Sequence, residues 1–361
     1  MRILSVVGAR PNFMKVAPIV RAFAEHAHPF ESVLVHTGQH YDAAMSGSFF
    51  RDLGLPEPDF NLEAGSGSHA VQTAAVMTRI EPVLQQLAPD LVLVVGDVNS
   101  TLAATLTAKK LGLRVAHVEA GLRSFDMTMP EEINRLCTDA IADDLFTTDR
   151  LASENLRREG VAETRIHFVG NVMIDSLMAS LPTARALKTA ESLGLEPGGY
   201  AVLTLHRPAN VDHPAKLAEI LDAIVAGAKG LPILFPAHPR TVERLAGLTA
   251  TQGPQLRIVE PLGYLEFQCL VDQARIVLTD SGGLQEETTV LGVPCVTLRE
   301  NTERPITLEE GTNHLAGTSR DGIVAAMEAA LAARAGAPKC PPLWDGRAAW
   351  RIADTIAGWS R

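Results

Sequence analysis

RILSVVGARPNFMK, residues 2–15, decides the architecture. Ile3 to Val7 is an apolar run short enough for a buried strand, Gly8 breaks it, and Pro11 stands where the first turn of a helix would begin. A strand that turns at once into a helix is half of a β-α-β unit, and the same grammar recurs along the chain. Ser32 to His36, Asp90 to Val95, Arg114 to Val118 and Leu145 to Thr147 continue one series. Ala201 to Leu205, Pro232 to Phe235, Arg257 to Val259, Arg275 to Thr279 and Pro294 to Thr297 form another, again with helical stretches between. Such alternation predicts parallel sheets, and 361 residues exceed what one core usually organises. The expected fold is α/β, with two Rossmann-like domains and an interdomain cleft. Residues 1–172, joined by a C-terminal helix over 344–361, form the first domain, and residues 173–343 form the second.

Composition narrows the function classes. Hydrophobic residues make up 46% and charged residues 20%, which describes a folded globular chain. A formal net charge of -10 argues against a nucleic-acid surface, which needs clustered Lys and Arg, while leaving room for a small anion in a local basic pocket. Cys137, Cys269, Cys295 and Cys340 are scattered without metal spacing, so neither a disulfide framework nor a metal site is expected. No apolar run approaches a membrane span and the chain enters a strand at once, so a cytoplasmic protein away from membranes is expected.

In open parallel sheets ligands sit beyond the carboxyl ends of the strands, and the unusual residues fall there. Gly8 to Lys15 brings Arg10 and Lys15 to a helix start, where they can hold a phosphate or simply face solvent as cations. Asp280-Ser281-Gly282-Gly283 ends a strand and opens a helix, so amides of Ser281, Gly282 and Gly283 can approach a diphosphate. Glu287, one turn on, reads either as an acceptor for ribose hydroxyls or as an ordinary surface acid. Asp97, Glu119 and Glu131 share the mouth of the first domain with Arg123 and Arg135. Singly, Asp97 reads as a helix N-cap and Glu131 as a first-turn acid; together the three carboxylates suggest proton handling. Two His-Arg pairs, His206-Arg207 and His238 with Arg240, line the edge of the second domain and suggest anion recognition. No G-x-G-x-x-G occurs, so NAD chemistry is not signalled.

These segments together resemble the non-hydrolysing UDP-N-acetylglucosamine 2-epimerase family over essentially the whole chain. The matching stretches are GARPNFMK, TGQHYD from Thr37 to Asp42, GDVNSTLA, HVEAGLRS, MPEEINR, TLHR, DSGGLQEE and RENTERP from Arg299 to Pro305. The resemblance implies a glycosyltransferase-B type fold and a UDP-sugar substrate. It places Asp97, Glu119 and Glu131 on the catalytic carboxylates, with His206 beside the departing diphosphate. It gives the nucleotide-sugar Arg10, Lys15, His206 and Arg304, the diphosphate Ser281, Gly282 and Gly283, the ribose Glu287, and the uracil side Leu262 and Phe267. Gln39 matches a segment near which some relatives bind a second UDP-sugar as activator. The resemblance further implies a homodimer, a place in surface polysaccharide synthesis, and no cofactor, since UDP itself leaves and returns.

Two departures bear on the substrate. Where the family commonly has consecutive Arg, Glu and Asn after its His, this chain has Arg207-Pro208-Ala209-Asn210. The connection from Glu119 to Glu131 resembles the shorter one found among members acting on modified sugars, so a diacetamido uronic acid nucleotide is an alternative substrate. A glycosyltransferase of the same architecture, a hydrolysing epimerase and a sugar-nucleotide sensor are the rival functions; the transferase and the sensor do not call for three acids around the sugar, and the motifs disfavour the hydrolysing variant.

Overall fold

The computed structural model describes residues 1–38, 53–237, 239–245, 253–332 and 340–359. It divides into two compact units, Met1–Ala179 with Pro342–Arg361, and Ser180–Pro341. The boundary falls inside one helix, Val172–Ala186.

The first unit is built on a seven-stranded sheet of β1 (Arg2–Val7), β2 (Glu31–His36), β3 (Phe60–Asn61), β4 (Leu91–Val95), β5 (Val115–Ala120), β6 (Asp144–Thr147) and β7 (Ile166–Phe168). Their spatial order is β3-β2-β1-β4-β5-β6-β7 and every pairing is parallel. The order reverses beside β1, the kind of switch point at which ligands sit in such sheets. β4 reads LVLVV and is buried throughout, as a central strand covered on both faces must be. One face packs on Val76, Ile80 and Leu84 of the helix His69–Leu87. The other packs on Ile19 and Phe23 of the helix Arg10–Glu25 and on Ile352 and Ile356 of the helix Ala348–Gly358. That last helix is anchored by Asp175, whose carboxylate accepts the amides of Ala348 at 3.1 Å and Ala349 at 2.7 Å.

The second unit carries a six-stranded parallel sheet of β8 (Ala201–Thr204), β9 (Ile233–Pro236), β10 (Leu256–Val259), β11 (Ile276–Thr279), β12 (Cys295–Thr297) and β13 (Asn313–Leu315), in the order β10-β9-β8-β11-β12-β13. Leu203, Phe235 and Leu278 lie in one core with the helices Pro214–Gly227 and Arg320–Ala332. Val202, Leu234 and Val277 lie in the core on the opposite face.

The parallel two-sheet α/β class matches the expectation from sequence. The sheets also contain β3, β7 and β13, which the apolar pattern did not mark. All three are edge strands of two or three residues, formed by pairing to a neighbour rather than by a run of their own. Among the described residues no helix is long and apolar enough to cross a membrane.

Candidate functional site

In the first unit Asp97 stands on the loop that leaves β4, Glu119 near the end of β5 itself, and Glu131 on the first turn of the helix Pro130–Ile141. Val95, the last residue of β4, has its carbonyl fixed by Asn12 Nδ2 and Thr101 Oγ1, both at 2.9 Å. The chain then turns through Gly96 at φ +68°. A Cβ there would stand 2.8 Å from Lys15 Nζ and 3.7 Å from Glu119 Oε2, so glycine lets the loop pass closely over the buried Lys15–Glu119 ion pair. Asp97 follows. It does not cap the helix Asn99–Lys110, whose N-cap residue is Val98; its carboxylate meets Arg135 Nη1 at 2.5 Å.

Arg135 is completely enclosed and binds Glu132 as well, at 2.7 Å. Glu132 also accepts the amides of Ser124 at 3.0 Å and Phe125 at 2.9 Å, which ties the loop after β5 to the helix Pro130–Ile141. Burial disfavours its charge, but these amides and Arg135 hold Glu132 below the usual carboxylate range. Glu131, one residue earlier, is exposed on the first turn of that helix. Asn134 of the same helix donates to Asp97 O at 2.9 Å, and a cavity of about 500 Å³ lined by His69, Asn99, Pro130 and Asn134 adjoins this point.

Glu119 is the strained member of the set. Its φ is +73°, and the β5–β6 ladder slips in register between Val118 and Ala120. A left-handed conformation at a residue with a side chain costs about 1–3 kcal/mol and survives only where the surroundings impose it. They do so through Gly121, whose amide donates to Asp139 Oδ2 and whose carbonyl accepts Asn155 Nδ2, each at 3.0 Å. Asp139 also meets Arg123 at 2.7 Å and His117 Nδ1 at 2.6 Å, while His117 Nε2 reaches Gly96 O at 2.7 Å. Asp139 is fully buried, which opposes its charge, yet His117 and Arg123 keep its carboxyl below the ordinary range. Arg123 uses its remaining donors on Glu159 and the Leu122 carbonyl, so it braces the Glu119 loop from behind.

In the second unit, β8 and β11 end side by side at Thr204 and Thr279, whose hydroxyls meet at 2.7 Å. The helix Gly282–Leu291 starts just beyond, with Ser281 at its N-cap and no side chain capping it. First-turn amides left without a capping side chain, together with the helix dipole, favour an anion. A Cβ at Gly282 would lie 2.7 Å from Glu303 Oε1, so a side chain there would have to displace the Glu303 carboxylate. Glu303 bridges to Arg299 at 2.8 Å; burial opposes its charge, but Arg304 and Arg299 hold it well below the carboxylate range. Arg304 pairs with Glu286 at 2.6 Å.

Glu287 is buried inside this helix rather than set on the surface. Burial, reinforced by the neighbouring charge of Glu286, pushes its carboxyl up to about 8. Leu262 and Phe267 pack, partly buried, against the core of the same unit. His206 is largely exposed, with its Nδ1 2.8 Å from Asp280 Oδ1, and Arg207 Nε donates to the Asp280 carbonyl at 3.1 Å. Arg10 opens the first helix of the chain, and Gln39 and His238 lie outside the described residues.

The structure therefore gathers Lys15, Asp97, Glu119 and Arg135 in the first unit, and His206, Arg207, Ser281, Gly282 and Arg304 around one helix start in the second. Glu132, His117, Asp139 and Asp280 were not singled out from sequence. Glu132 had a signal, since Arg135 three residues later lies on the same helix face; Asp280 had one too, as the polar residue between a strand and a glycine pair. His117 and Asp139 lack any local pattern, because their partners come from other elements. Among the described residues no group of three or more His, Cys, Asp or Glu side chains is arranged to hold a metal ion.

Comparison with known proteins adds a second line of observation. Residues 22–357 match the family model described as UDP-N-acetylglucosamine 2-epimerase. A UDP-N-acetylglucosamine 2-epimerase of Methanocaldococcus jannaschii is 42% identical over 340 residues, 92% of each chain. A UDP-2,3-diacetamido-2,3-dideoxy-D-glucuronate 2-epimerase of Pseudomonas aeruginosa is also 42% identical, over 338 residues and again 92% of each chain. The crystal structure of the Methanocaldococcus jannaschii enzyme in complex with UDP-GlcNAc and UDP superimposes with a TM-score of 0.88 at 40% identity, covering 99% of this chain and 100% of that one.

Proposed function

The chain belongs to the UDP-N-acetylglucosamine 2-epimerase family, and from that premise we propose that it reversibly inverts C2 of UDP-N-acetylglucosamine to give UDP-N-acetylmannosamine. The observation that carries the reading is Glu119: a buried carboxylate held at a strained φ against Lys15, close to the Asp97–Arg135 pair. C2 of this sugar has no neighbouring carbonyl, so its hydrogen is barely acidic and direct proton abstraction is slow. Expulsion of the anomeric UDP removes that obstacle. A base takes the C2 proton, the C–H pair becomes the C1–C2 double bond, and the C1–O pair leaves with UDP. A proton delivered to the opposite face of C2 and return of the UDP oxygen to C1 complete the inversion through a 2-acetamidoglucal. No electrons are gained or lost, so the reaction calls for no redox cofactor.

In this reading Glu119 and Glu131 carry protons on opposite faces, Asp97 assists, and His206 offsets charge developing on the diphosphate. Nucleotide recognition falls to Ser281, Gly282, Gly283, Glu287 and Arg304, with Leu262 and Phe267 toward the uracil and Arg10 and Lys15 toward the nucleotide-sugar. A homodimer working in the cytoplasm, in surface polysaccharide synthesis, completes the proposal. The equal identity to a relative named for a diacetamido uronate favours a second substrate reading, in which the same inversion acts on a modified UDP-sugar.

Incubation of the protein with each UDP-sugar in deuterated water, followed by NMR, tests both. Both epimers of the true substrate appear with deuterium at C2. Untouched substrate, free sugar as the main product, or turnover only with an added acceptor would each remove the proposal.

Glu287 supplies a separate check. With its carboxyl at about 8, it is mostly protonated at neutral pH. Ribose hydroxyls donating to it favour the ionised form, so UDP binding lowers its pKa and releases a proton from it, and the Glu287 contribution to affinity rises with pH up to about 8. In the free protein the sign runs the other way. A raised carboxylate pKa gives stability that is full below the unfolded value of 4.5 and lost as pH climbs to about 8. Calorimetry of UDP binding at pH 7, in buffers of different ionisation enthalpy, is expected to show a Glu287 proton-release component, so that Glu287→Gln shifts the net proton exchange toward uptake.

A further inference from the structure

Asp280 is the most fully enclosed carboxylate beside the glycine loop, with no exposed surface, whereas the ring it touches, His206, is 62% exposed. Its two oxygens face different work. Oδ2 accepts the amides of Arg207 at 3.0 Å and His206 at 3.1 Å and the Asn210 side-chain amide at 3.0 Å. Oδ1 faces His206 Nδ1 at 2.8 Å and shares the His206 amide with Oδ2, at 3.2 Å. The residue also joins β11 to the helix start, since Ser281 follows it directly and donates its amide to Thr279 Oγ1 at 2.9 Å. One buried anion thus fixes the backbone before Pro208, one ring nitrogen of His206 and the base of the loop. Arg207 in turn lies 3.9 Å from Glu303, which also meets Arg304 at 3.9 Å and Arg299 at 2.8 Å.

We propose that Asp280 is a positioning residue that sets the tautomer of His206, so that Nε2 donates a hydrogen bond only when the ring carries both protons. The argument is one of available states. A neutral imidazole has one N–H, and a carboxylate oxygen at Nδ1 claims it. Nε2 then presents a lone pair, which a diphosphate oxygen does not accept. A proton taken from water onto Nε2 converts that lone pair into a charged donor, and a diphosphate nearby favours the conversion. The Nε2–H neutral tautomer, which would donate to a phosphate without carrying charge, is the state Asp280 removes. His206 is thereby made to meet its anion as a cation or not at all. This rests on the proposed role of His206 toward the departing diphosphate, while the tautomer itself is a property of the protein alone.

Asp280→Asn is the informative change. Three donors converge on the Oδ2 position, against a longer share of one of them, the His206 amide, at Oδ1, so the amide oxygen settles at Oδ2 and the NH2 faces His206 Nδ1. Nδ1 becomes the acceptor and the ring switches to the Nε2–H tautomer. Long-range proton–nitrogen NMR of 15N-histidine-labelled protein, with the His206 signals assigned from a His206→Ala variant, reads this directly. Expected are Nδ1–H for the neutral ring in the wild type, Nε2–H in Asp280→Asn, and a doubly protonated ring when UDP is added to the wild type. Asn210→Ala, which removes one donor to Asp280 but not the ring contact, is expected to keep the wild-type tautomer.

With UDP-N-acetylglucosamine, Asp280→Asn is expected to lower kcat by about 10- to 100-fold with KM within about threefold, as suits loss of part of the electrostatic stabilisation of the departing diphosphate. In a His206→Ala background the same substitution is expected to add no further loss. The same neutral tautomer in wild type and Asp280→Asn overturns the proposal, as does a full additional loss of kcat in the His206→Ala background. If the tautomers behave as stated but the wild type turns over neither UDP-sugar, the positioning role stands and the epimerase reading falls.

Discussion

Glu119→Gln is expected to lower kcat for epimerisation by about 10²- to 10⁴-fold, the usual worth of a positioned proton carrier, and to leave UDP affinity within about threefold. The carboxamide has the shape of the carboxylate and its oxygen still accepts from Lys15, so the ion pair becomes an ammonium–amide contact without an empty space. What is lost is the capacity to take or give a proton. UDP affinity is spared because the amides after Ser281 and the Arg304–Glu286–Glu303 cluster belong to the second unit. Solvent exchange at C2 followed by NMR, beside calorimetry with UDP, separates the two effects. Turnover within tenfold of wild type would remove Glu119 from the chemistry.

Gly121→Ala is expected to carry the largest stability effect, about 2–5 kcal/mol. The residue sits at φ +81°, and its Cβ would stand 2.3 Å from Ala152 O and 2.8 Å from Ala152 C, both backbone atoms of the helix Arg150–Arg158. The left-handed region costs a residue with a Cβ about 1–2 kcal/mol, and forcing apart a packed contact adds about 1–3 kcal/mol. Gly112→Ala provides the comparison: φ is +74° but a Cβ would find nothing within 4 Å, so only the conformational part applies. Urea unfolding of both variants tests this, and equal midpoints would mean that the contact with Ala152 is soft. Since Gly121 holds the segment that keeps Glu119 at positive φ, kcat is expected to fall in Gly121→Ala even at temperatures where the protein stays folded.

The long central strands were legible because a strand covered on both faces must be apolar throughout, as LVLVV at Leu91–Val95 is. The short edge strands were not, since Phe60–Asn61 or Asn313–Leu315 acquires its conformation from its neighbour. The candidate acids could be nominated from their places after strands, but their surroundings could not. Whether Asp97 caps a helix or meets Arg135 depends on a residue 38 positions along the chain, and the structure decides for Arg135. In PEEINR the two glutamates look alike in sequence; helical phase turns Glu132 inward and leaves Glu131 exposed. Glu287 looks like any acid near a helix start, and only burial beside Glu286 makes it a group that titrates near neutrality. The strain at Glu119 has no sequence signature at all, because it arises where a ladder slips by one residue.

The helix Ala348–Gly358 completes the core of a unit whose other residues end at Ala179. On the ribosome, that unit must wait for some 160 further residues of chain, while the inserted unit, Ser180–Pro341, has all its strands in hand and is free to fold first. Until the closing helix arrives, Ile3, Phe23, Leu91 and Leu93 lack the cover that Ile352 and Ile356 provide. Nascent chains stalled before residue 348 would accordingly leave this apolar face of the first unit's sheet uncovered.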